Sequence, residues 1–467
     1  MIIATLPQPP IRVADSWQHQ LEAYHFAVGT PATLLAMAMG TGKSKVAIDL
    51  AVNWGAKKIL VLCPTSVRAV WRREFARWAE DRFVVEVLDR GTVAKRTVQA
   101  GRAMRRAEAN NKPFVAVVNY ESAWRKPFGD WALGHSWDLV IADESHRAKA
   151  HNTQISKWMM KLADKARRRL CLTGTPLPHS PLDVFGQYRF LDWRIFGRRW
   201  LPFKHRYGIP HPHIQNALLP NRFQNLDELQ ERFGRIAYQV GVDVLDLPPV
   251  MHDTRPFTLP TTAARIYRDL EQEFCAEVEG GFVTAANVLV KSIRLRQCVS
   301  GFVQPDEGEA VVDIHDGKAE LLADLLYDLR EPVVVFAEFR HDLAAIRRIT
   351  ERLYLRYGEV SGRANDLTDD ATMPGDIDVL GVQYQSGGVG IDLTRARVAV
   401  YYSPTYSMGN YEQSMARLNR PGQTRPVTYY HLVAEGTIDE AVYKALEKKK
   451  DIVSTILDAA KRRTTCR

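Results

Sequence analysis

Two long stretches of the chain alternate short, apolar, β-rich runs with helical patterns. This alternation is the feature that most constrains the fold, because strands joined through helices form parallel sheets with both faces covered. The predicted strands of the first stretch are Thr33–Ala38, Lys58–Cys63, Phe114–Asn119, Leu139–Ala142 and Arg169–Leu172. Those of the second are Val333–Ala337, Tyr357–Ser361, Asp378–Val382, Val398–Tyr402 and Thr428–Leu432. The sequence therefore predicts an α/β protein with two parallel-sheet lobes in tandem.

The 467 residues suit two domains of roughly 200 residues each. Leu247-Pro-Pro-Val250 predicts a stiff, extended break, and Thr261–Gly280 and Thr284–Val299 have helical patterns. We therefore expect a first lobe at 1–247, with a helical insertion at about 190–245, and a linker with a second helical insertion at 248–311. The second lobe is expected at 312–467, with a closing helix at Thr437–Leu457.

A glycine-rich segment, Gly40-Thr-Gly-Lys-Ser44, follows a predicted strand and opens a predicted helix. Backbone N–H groups in such a loop can close on phosphate oxygens, and the helix N-terminus adds positive potential. Lys43 would reach the β- and γ-phosphates of a nucleotide, and the Ser44 hydroxyl would hold Mg²⁺. The strict pattern has glycine six residues before the lysine, where this chain has Met37. The alternative is an ordinary glycine-rich turn between strand and helix.

An acidic pair ends another predicted strand, in Leu139-Val-Ile-Ala-Asp-Glu-Ser-His146. Carboxylates in this position lie at the carboxyl edge of a parallel sheet, where ligands bind. Asp143 would hold Mg²⁺, and Glu144 would orient and deprotonate the attacking water. The alternative is a solvated loop that carries two acids.

Arg417 and Arg420 are three residues apart in the second stretch, which would place them on one face of a helix. Guanidinium groups there could neutralise charge on a γ-phosphate. The alternative is a solvated arginine face at a helix end.

The overall charge is compatible with a polyanionic partner, since 63 Lys and Arg residues against 54 Asp and Glu residues give a net charge of +9. The five scattered cysteines indicate reduced thiols in a cytosolic compartment rather than a disulfide frame or a metal site. No secretory signal is expected, and apolar runs such as Lys58–Cys63 are too short to cross a membrane.

Ten segments of the chain form an ordered series of motifs. They are Trp17-Gln-His-Gln-Leu-Glu22, Gly40–Ser44, Leu62-Cys-Pro-Thr-Ser66 with Trp71 and Glu74, Val118-Asn-Tyr-Glu-Ser122, Asp143–His146, Leu172-Thr-Gly-Thr-Pro176, Asp243–Pro249, Val335–Phe339, Gln385–Leu393 and Gln413–Gln423. With these motifs in this order, residues 12–450 resemble superfamily-two helicases, in particular their Swi/Snf-type double-stranded DNA translocases.

The resemblance implies two RecA-like lobes, with ATP and Mg²⁺ as cofactors and duplex or branched DNA as the partner. It implies that Gln20 reads adenine and that Gly40, Thr41, Gly42, Lys43, Ser44, Gly390 and Asp392 bind the nucleotide. The implied nucleic-acid contacts are Pro64, Thr65, Ser66, Asn119, Tyr120, Gln385, Ser386 and Gly387. The implied coupling residues, which link nucleotide chemistry to DNA movement, are His146, Thr173, Thr175 and Gln413.

The Asp-Glu-Ser-His form of the acidic motif, followed by Arg147 and Lys149, is most similar to the branch that includes annealing helicases and phage or bacterial members. We expect an ATP-dependent DNA translocase that remodels DNA or displaces bound protein. Two alternatives stay open: a strand-separating DNA or RNA helicase, and an ATP-gated nucleic-acid clamp without motor activity. The expected location is the cytoplasm, in a bacterial host cell for a phage or bacterial protein, or the nucleus for a eukaryotic one.

Overall fold

The computed structural model describes residues 16–178, 180–213, 218–272, 275–278, 281–284, 288–305, 310–384 and 390–448. The described residues divide into two compact units, with the boundary between Leu245 and Asp246.

The first unit is built on a seven-stranded sheet with the strand order β3-β4-β2-β5-β6-β1-β9. All of its pairings are parallel. The strands of this unit, including the small antiparallel pair β7 and β8, are β1 Ala32–Met37, β2 Lys58–Cys63, β3 Val84–Val87, β4 Phe114–Asn119, β5 Trp137–Asp143, β6 Ala166–Thr173, β7 Gly208–Pro210, β8 Leu218–Phe223 and β9 Ala237–Val240.

Helices connect these strands and cover the sheet. They are α1 Gln18–Val28, α2 Lys43–Asn53, α3 Arg68–Ala79, α4 Val93–Ala109, α5 Tyr120–Ala123, α6 Phe128–Leu133, α7 Gln154–Ala163, α8 Val184–Leu191, α9 Trp193–Phe196, α10 Trp200–Tyr207 and α11 Leu226–Gly234. Because both faces are covered, strands such as β1 and β4 are buried along their whole length. Each fully buried Val, Leu or Ile side chain contributes about 1.5–3 kcal/mol to folding.

The second unit has a six-stranded parallel sheet with the order β10-β19-β18-β15-β17-β16. The strands of this unit are β10 Val250–Phe257, β11 Cys275–Val278, β12 Gly281–Thr284, β13 Phe302–Val303, β14 Val312–Asp313, β15 Val333–Ala337, β16 Tyr357–Val360, β17 Val379–Gln383, β18 Val398–Tyr401 and β19 Val427–Ala434. Its helices are α12 Thr261–Gln272, α13 Val288–Ser300, α14 Gly317–Asp328, α15 Arg340–Arg352 and α16 Met408–Leu418.

The two parallel sheets confirm the predicted fold class. All ten predicted strands are present, and most of their ends differ from the predicted ends by two residues or fewer. Residues 438–448 are helical, as predicted for the start of the closing helix; the rest of that prediction lies outside the described residues. None of the helices in the described ranges combines the length and apolarity needed to cross a membrane.

The prediction of one helix over Thr261–Gly280 is wrong at its C-terminal end. Helix α12 stops at Gln272, and the antiparallel strands β11 and β12 follow. The sequence has two consecutive glycines, Gly280-Gly281, where the second of these strands begins, and consecutive glycines favour a hairpin over helix continuation.

Candidate functional site

The loop between β1 and α2 has the backbone conformation of a phosphate-binding turn. Gly40 and Gly42 have φ values of 80° and 82°, which lie in the left-handed region that favours glycine. A Cβ atom at Gly42 would lie 2.1 Å from Nε2 of Gln20, so the close packing also requires glycine. The Thr41 hydroxyl donates to the carbonyl of Ala38 at 2.6 Å and tightens the turn. The next residue, Lys43, begins helix α2, with Ser44 in its first turn.

Met37 stands where the strict motif has glycine, and the structure explains why this is tolerated. Met37 is the last residue of β1, is fully buried and pairs with Val240 of β9. An extended residue in a sheet interior needs no left-handed conformation. The departure from the motif therefore lies outside the part of the loop whose shape depends on glycine.

The Lys43 side chain folds back over the end of β1. Its Nζ donates to the carbonyl oxygens of Met37 at 2.9 Å and Ala38 at 3.1 Å. A phosphate oxygen is a stronger acceptor for an ammonium group than a neutral carbonyl. The lysine is thus held in the loop by contacts that an anion could replace.

Gln20 is buried beneath the same loop. Its Nε2 donates to the carbonyl of Thr41 at 3.0 Å, and its Oε1 accepts from the backbone N–H of Trp17 at 3.1 Å. His19 contacts the Thr41 carbonyl as well, at 2.9 Å. The side chain of Gln20 therefore braces the phosphate loop, and adenine recognition by Gln20 stays a prediction.

Asp143 ends strand β5 as a buried carboxylate with two donors. Oδ2 accepts from the indole Nε1 of Trp71 at 2.9 Å, and Oδ1 accepts from the backbone N–H of Glu144 at 3.0 Å. Burial and the nearby charge of Glu144 raise the pKa of Asp143 to about 7, although the indole of Trp71 and the ammonium of Lys43 act in the opposite direction. The positive charge of Lys43 therefore acts on the Asp143 carboxylate.

Glu144 is also buried, and its φ of 50° is left-handed. A non-glycine residue in this region costs about 1–3 kcal/mol and persists only where its surroundings hold it. Its Oε2 accepts from the Thr173 hydroxyl at 3.5 Å and lies 3.3 Å from Nδ1 of His146. Nδ1 of His146 lies 3.1 Å from the Thr173 hydroxyl oxygen, and this oxygen accepts a hydrogen bond from the backbone N–H of Thr175 at 3.1 Å. Three of the four predicted coupling residues therefore lie in one cluster around Glu144.

The strand order accounts for this clustering. Strand β6 lies between β1 and β5, and its last residue, Thr173, is in register with Ala36 of β1. Asp143 pairs with the preceding residue of β6, Leu172. The phosphate loop, the threonine and the acidic pair therefore meet at one edge of one sheet.

The predicted nucleic-acid contacts of the first unit differ in exposure. Thr65 and Ser66 are exposed, whereas Pro64 is buried. Asn119 is buried and hydrogen-bonded to Arg96 and Glu121. Tyr120 is buried too, and its hydroxyl donates to the Asp143 carbonyl at 2.8 Å. The Tyr120 side chain thus supports the acidic strand instead of facing solvent, and its contact with nucleic acid stays a prediction.

In the second unit, Gln385, Ser386 and Gly387 lie outside the described residues. Gly390 is left-handed, with a φ of 104°. The Asp392 carboxylate accepts from the backbone N–H and hydroxyl of Thr394 at 2.9 and 2.7 Å. Gln413 is half-buried on α16.

The two predicted arginines do converge, but not because they share a helix face. Helix α16 ends at Leu418, so Arg420 lies beyond it, and the prediction of helical spacing is wrong. Both guanidiniums donate to the carbonyl of Ile391, from Arg417 at 3.4 Å and from Arg420 at 3.2 Å. Nε of Arg420 also lies 3.8 Å from Oδ2 of Asp392.

A buried glutamine fixes the turn that follows α16. The Gln423 amide donates to the carbonyls of Thr394 and Ala396 at 3.1 and 3.0 Å. The turn, rather than the helix, therefore brings Arg420 beside Arg417.

Two supporting residues have roles that the sequence does not predict. Trp71 follows the segment with the predicted nucleic-acid contacts Pro64, Thr65 and Ser66, but its buried indole donates to Asp143. Gln187, on α8, belongs to none of the predicted motifs, yet its amide contacts the segments that follow Glu144 and Thr175. The hydrogen-bonding capacity of a tryptophan or glutamine gives no indication of its partner, so no local signal identifies these contacts.

Comparisons with known proteins assign the family. A family model described as SNF2-related domain matches residues 16–301, and one described as helicase conserved C-terminal domain matches residues 317–422. "Putative protein p41" of Acyrthosiphon pisum secondary endosymbiont phage 1 is 27% identical over 91% of this chain and 94% of its own length. The human DNA annealing helicase and endonuclease ZRANB3 is 24% identical over 92% of this chain, which spans 39% of that longer protein.

Among solved structures, the SWI2/SNF2 ATPase core of Sulfolobus solfataricus in complex with double-stranded DNA aligns with 98% of this chain and 96% of its own, at 21% identity and a TM-score of 0.45. The SNF2-related match covers more than half of the 467 residues and contains the phosphate loop and the acidic pair. The chain belongs to the SNF2 family of superfamily-two helicases and is an ATP hydrolase.

Proposed function

We propose that this ATPase is a motor that moves along double-stranded DNA and remodels DNA structures or displaces bound protein. The observation that carries the proposal is the cluster of Lys43, Asp143, Glu144 and Thr173 at one sheet edge. The convergence of Arg417 and Arg420 in the second unit supplies the charges that such a motor uses on phosphate.

Mg²⁺-bound ATP is the proposed cofactor, and the residues present fit it. Burial and the neighbouring Glu144 carboxylate raise the pKa of Asp143, and a divalent cation would favour the charged form of Asp143. The Asp143 carboxylate and the Ser44 hydroxyl are oxygen donors of the kind that Mg²⁺ prefers. When bound, the cation would neutralise charge on the phosphate oxygens.

The proposed roles of the chain's own residues follow from their contacts. Lys43 exchanges the carbonyls of Met37 and Ala38 for β- and γ-phosphate oxygens. Glu144 orients the attacking water and takes its proton, while Thr173 and His146 fix its carboxylate. Arg417 and Arg420 are assigned to the γ-phosphate, with Gly390 and Asp392 in the same nucleotide-binding role. Because these residues belong to a different unit from Lys43, their part of the assignment is carried by the family resemblance.

DNA is the proposed track. The exposed Thr65 and Ser66, with the predicted contacts Gln385–Gly387, would bind the backbone, and the net charge of +9 favours a polyanion. ZRANB3 is named as a DNA annealing helicase, which supports remodelling or reannealing of DNA over strand separation as the function. Its endonuclease activity is not carried over, because this chain spans 39% of that protein.

Triplex displacement beside forked-duplex unwinding separates the motor from the helicase alternative. We expect ATP-dependent release of the third strand without strand separation, and loss of release in Glu144→Gln. Unwinding of the fork, on DNA or RNA, with no triplex displacement would instead support a strand-separating helicase. ATP binding with neither activity, and no DNA-stimulated turnover, would support a clamp.

A further inference from the structure

Gln187 joins two segments of the candidate site through a single buried side chain. It lies on α8 and is 1% exposed. Its Oε1 accepts from the Ser145 hydroxyl at 2.7 Å, and its Nε2 donates to the carbonyls of Pro176 at 2.7 Å and Asp183 at 3.2 Å. Ser145 follows Glu144 directly, and Pro176 follows Thr175. One amide therefore fixes the chain on both sides of the Glu144 cluster.

Helix α8 packs closely on the turn that follows Glu144. A Cβ atom at Gly186 would lie 2.2 and 2.5 Å from the carbonyl oxygens of Ala148 and Lys149. Arg189 donates to the His151 carbonyl at 2.9 Å and to the Ser156 hydroxyl at 2.7 Å. Contacts between α8 and residues 145–156 therefore hold this turn in place, so the position of α8 determines the position of the turn.

The opposite side of α8 is anchored in the insertion predicted at 190–245. The Tyr188 hydroxyl donates to the Phe233 carbonyl, and the Tyr188 ring contacts the rings of Phe233 and Phe196 at centroid distances of 5.7 and 5.0 Å. The helix is thus fixed from two directions, which makes it a stable platform for Gln187.

We propose that Gln187 is a positioning residue for ATP hydrolysis. By fixing the Ser145 hydroxyl and the Pro176 carbonyl, it holds Glu144 in its left-handed conformation and sets the Glu144 carboxylate against Thr173 and His146. This inference rests on the proposed role of Glu144. It assigns Gln187 no contact with ATP, so its loss should lower turnover and leave ATP affinity nearly unchanged.

The test uses the full chain and measures kcat and KM for ATP in the absence of nucleic acid. Gln187→Met has similar length and removes all three hydrogen bonds, and we expect kcat to fall about tenfold while KM changes less than about twofold. Ser145→Ala removes the Ser145–Gln187 bond, together with the contact of the Ser145 hydroxyl with the Cys171 thiol, and changes the shape little, so we expect a smaller fall in kcat in the same direction. Because both changes remove that bond, the double variant should match Gln187→Met rather than multiply the two effects.

The matched control is Gln224→Met. The Gln224 amide also donates to two backbone carbonyls, those of His205 at 2.9 Å and Gly208 at 3.3 Å, but it contacts neither Ser145 nor Pro176. Its kcat should equal that of the wild type. Thermal unfolding of each variant verifies that the assay temperature lies below the transition. If Gln187→Met does not fold, Ser145→Ala carries the test.

Three results would overturn the inference. They are an unchanged kcat in Gln187→Met and Ser145→Ala, a rise in KM as large as the fall in kcat, or an equal loss in Gln224→Met. The two hypotheses fail in different ways. Wild-type turnover in Glu144→Gln overturns the role of Glu144 together with the inference, whereas an inactive Glu144→Gln beside a fully active Gln187→Met overturns the positioning role alone.

Discussion

The two candidate sites hold their residues in different ways. At the first site, on the carboxyl edge of the first sheet, Asp143 and Glu144 are buried and accept hydrogen bonds from the Trp71 indole, a backbone N–H and the Thr173 hydroxyl. At the second site, in the second unit, Arg417 and Arg420 both donate to one neutral carbonyl, that of Ile391, at 3.4 and 3.2 Å, and Arg420 also lies 3.8 Å from the Asp392 carboxylate.

The difference indicates that the two sites are held to different degrees. The two carboxylates of the first site are fixed by donors from the surrounding protein. At the second site, the carbonyl that the two cations share is a weaker acceptor than a phosphate oxygen. We therefore expect changes at the first site to lower the rate of the chemical step most, and changes at the second site to lower it less.

The largest effect is expected from Lys43→Ala. The substitution removes the ammonium group that would bind the β- and γ-phosphates, so ATP turnover should fall by about three orders of magnitude or more. ATP binding and turnover are the measurements, and the exposed Lys57 provides the control variant Lys57→Ala, which should behave as the wild type. Substantial turnover in Lys43→Ala would contradict the assignment of the phosphate loop.

Glu144→Gln keeps the size of the side chain and removes the group proposed to take the proton from water. Turnover should fall about 100- to 10,000-fold, while ATP affinity is retained. Glu108→Gln is the matched control, because Glu108 is an exposed glutamate that pairs with Lys58 at 3.4 Å. Normal hydrolysis by Glu144→Gln would show that Glu144 is not the base of the first site and would remove the contrast between the two sites.

Arg420→Ala tests the second site. We expect kcat to fall about 100-fold and ATP affinity to change much less, because a guanidinium assigned to the γ-phosphate acts mainly on the transition state. Arg425→Ala is the control, since Arg425 is a half-exposed arginine of the same unit that contacts the Arg395 carbonyl at 3.2 Å. Equal losses in kcat and affinity would instead indicate ground-state binding.

Trp71→Phe is expected to have the smallest effect. It removes the indole donor that orients Asp143, so the Mg²⁺ concentration that gives half-maximal turnover should rise about tenfold. Trp78→Phe on the same helix is the control, because its indole donates to Glu74 at 3.1 Å rather than to the site. The same Mg²⁺ requirement in both variants and the wild type would mean that the Trp71 bond does not tune the proposed metal site.

The buried central strands and the edge strand β16 could be predicted from the sequence, whereas the edge strands β3 and β10 could not. Strands β2 and β4 form continuous apolar runs, which indicate a parallel sheet. By contrast, β3 is short and at a sheet edge, and β10 is largely exposed and contains Pro256. These two edge strands lack the burial that produces a strong apolar pattern, so the sequence does not predict them.

The site could be predicted as far as its chemistry is local. Gly42, Lys43 and Asp143 carry their function in residue type and in position beside a strand. The hydrogen bonds of Trp71 and Gln187 depend on the packing of α3 and α8 against other segments, which local sequence does not specify. The sequence predicts that Arg417 and Arg420 converge on one helix face. They converge instead because the turn after α16, fixed by Gln423, brings Arg420 beside Arg417.

The most direct test of the proposed DNA motor is ATP turnover compared across single-stranded, duplex, forked and four-way DNA, with RNA as the control. We predict that DNA containing a duplex raises kcat well above the rate without nucleic acid, that RNA does not, and that Glu144→Gln abolishes the increase. The same kcat with and without every nucleic acid would contradict the motor and leave an ATPase whose hydrolysis is not coupled to DNA.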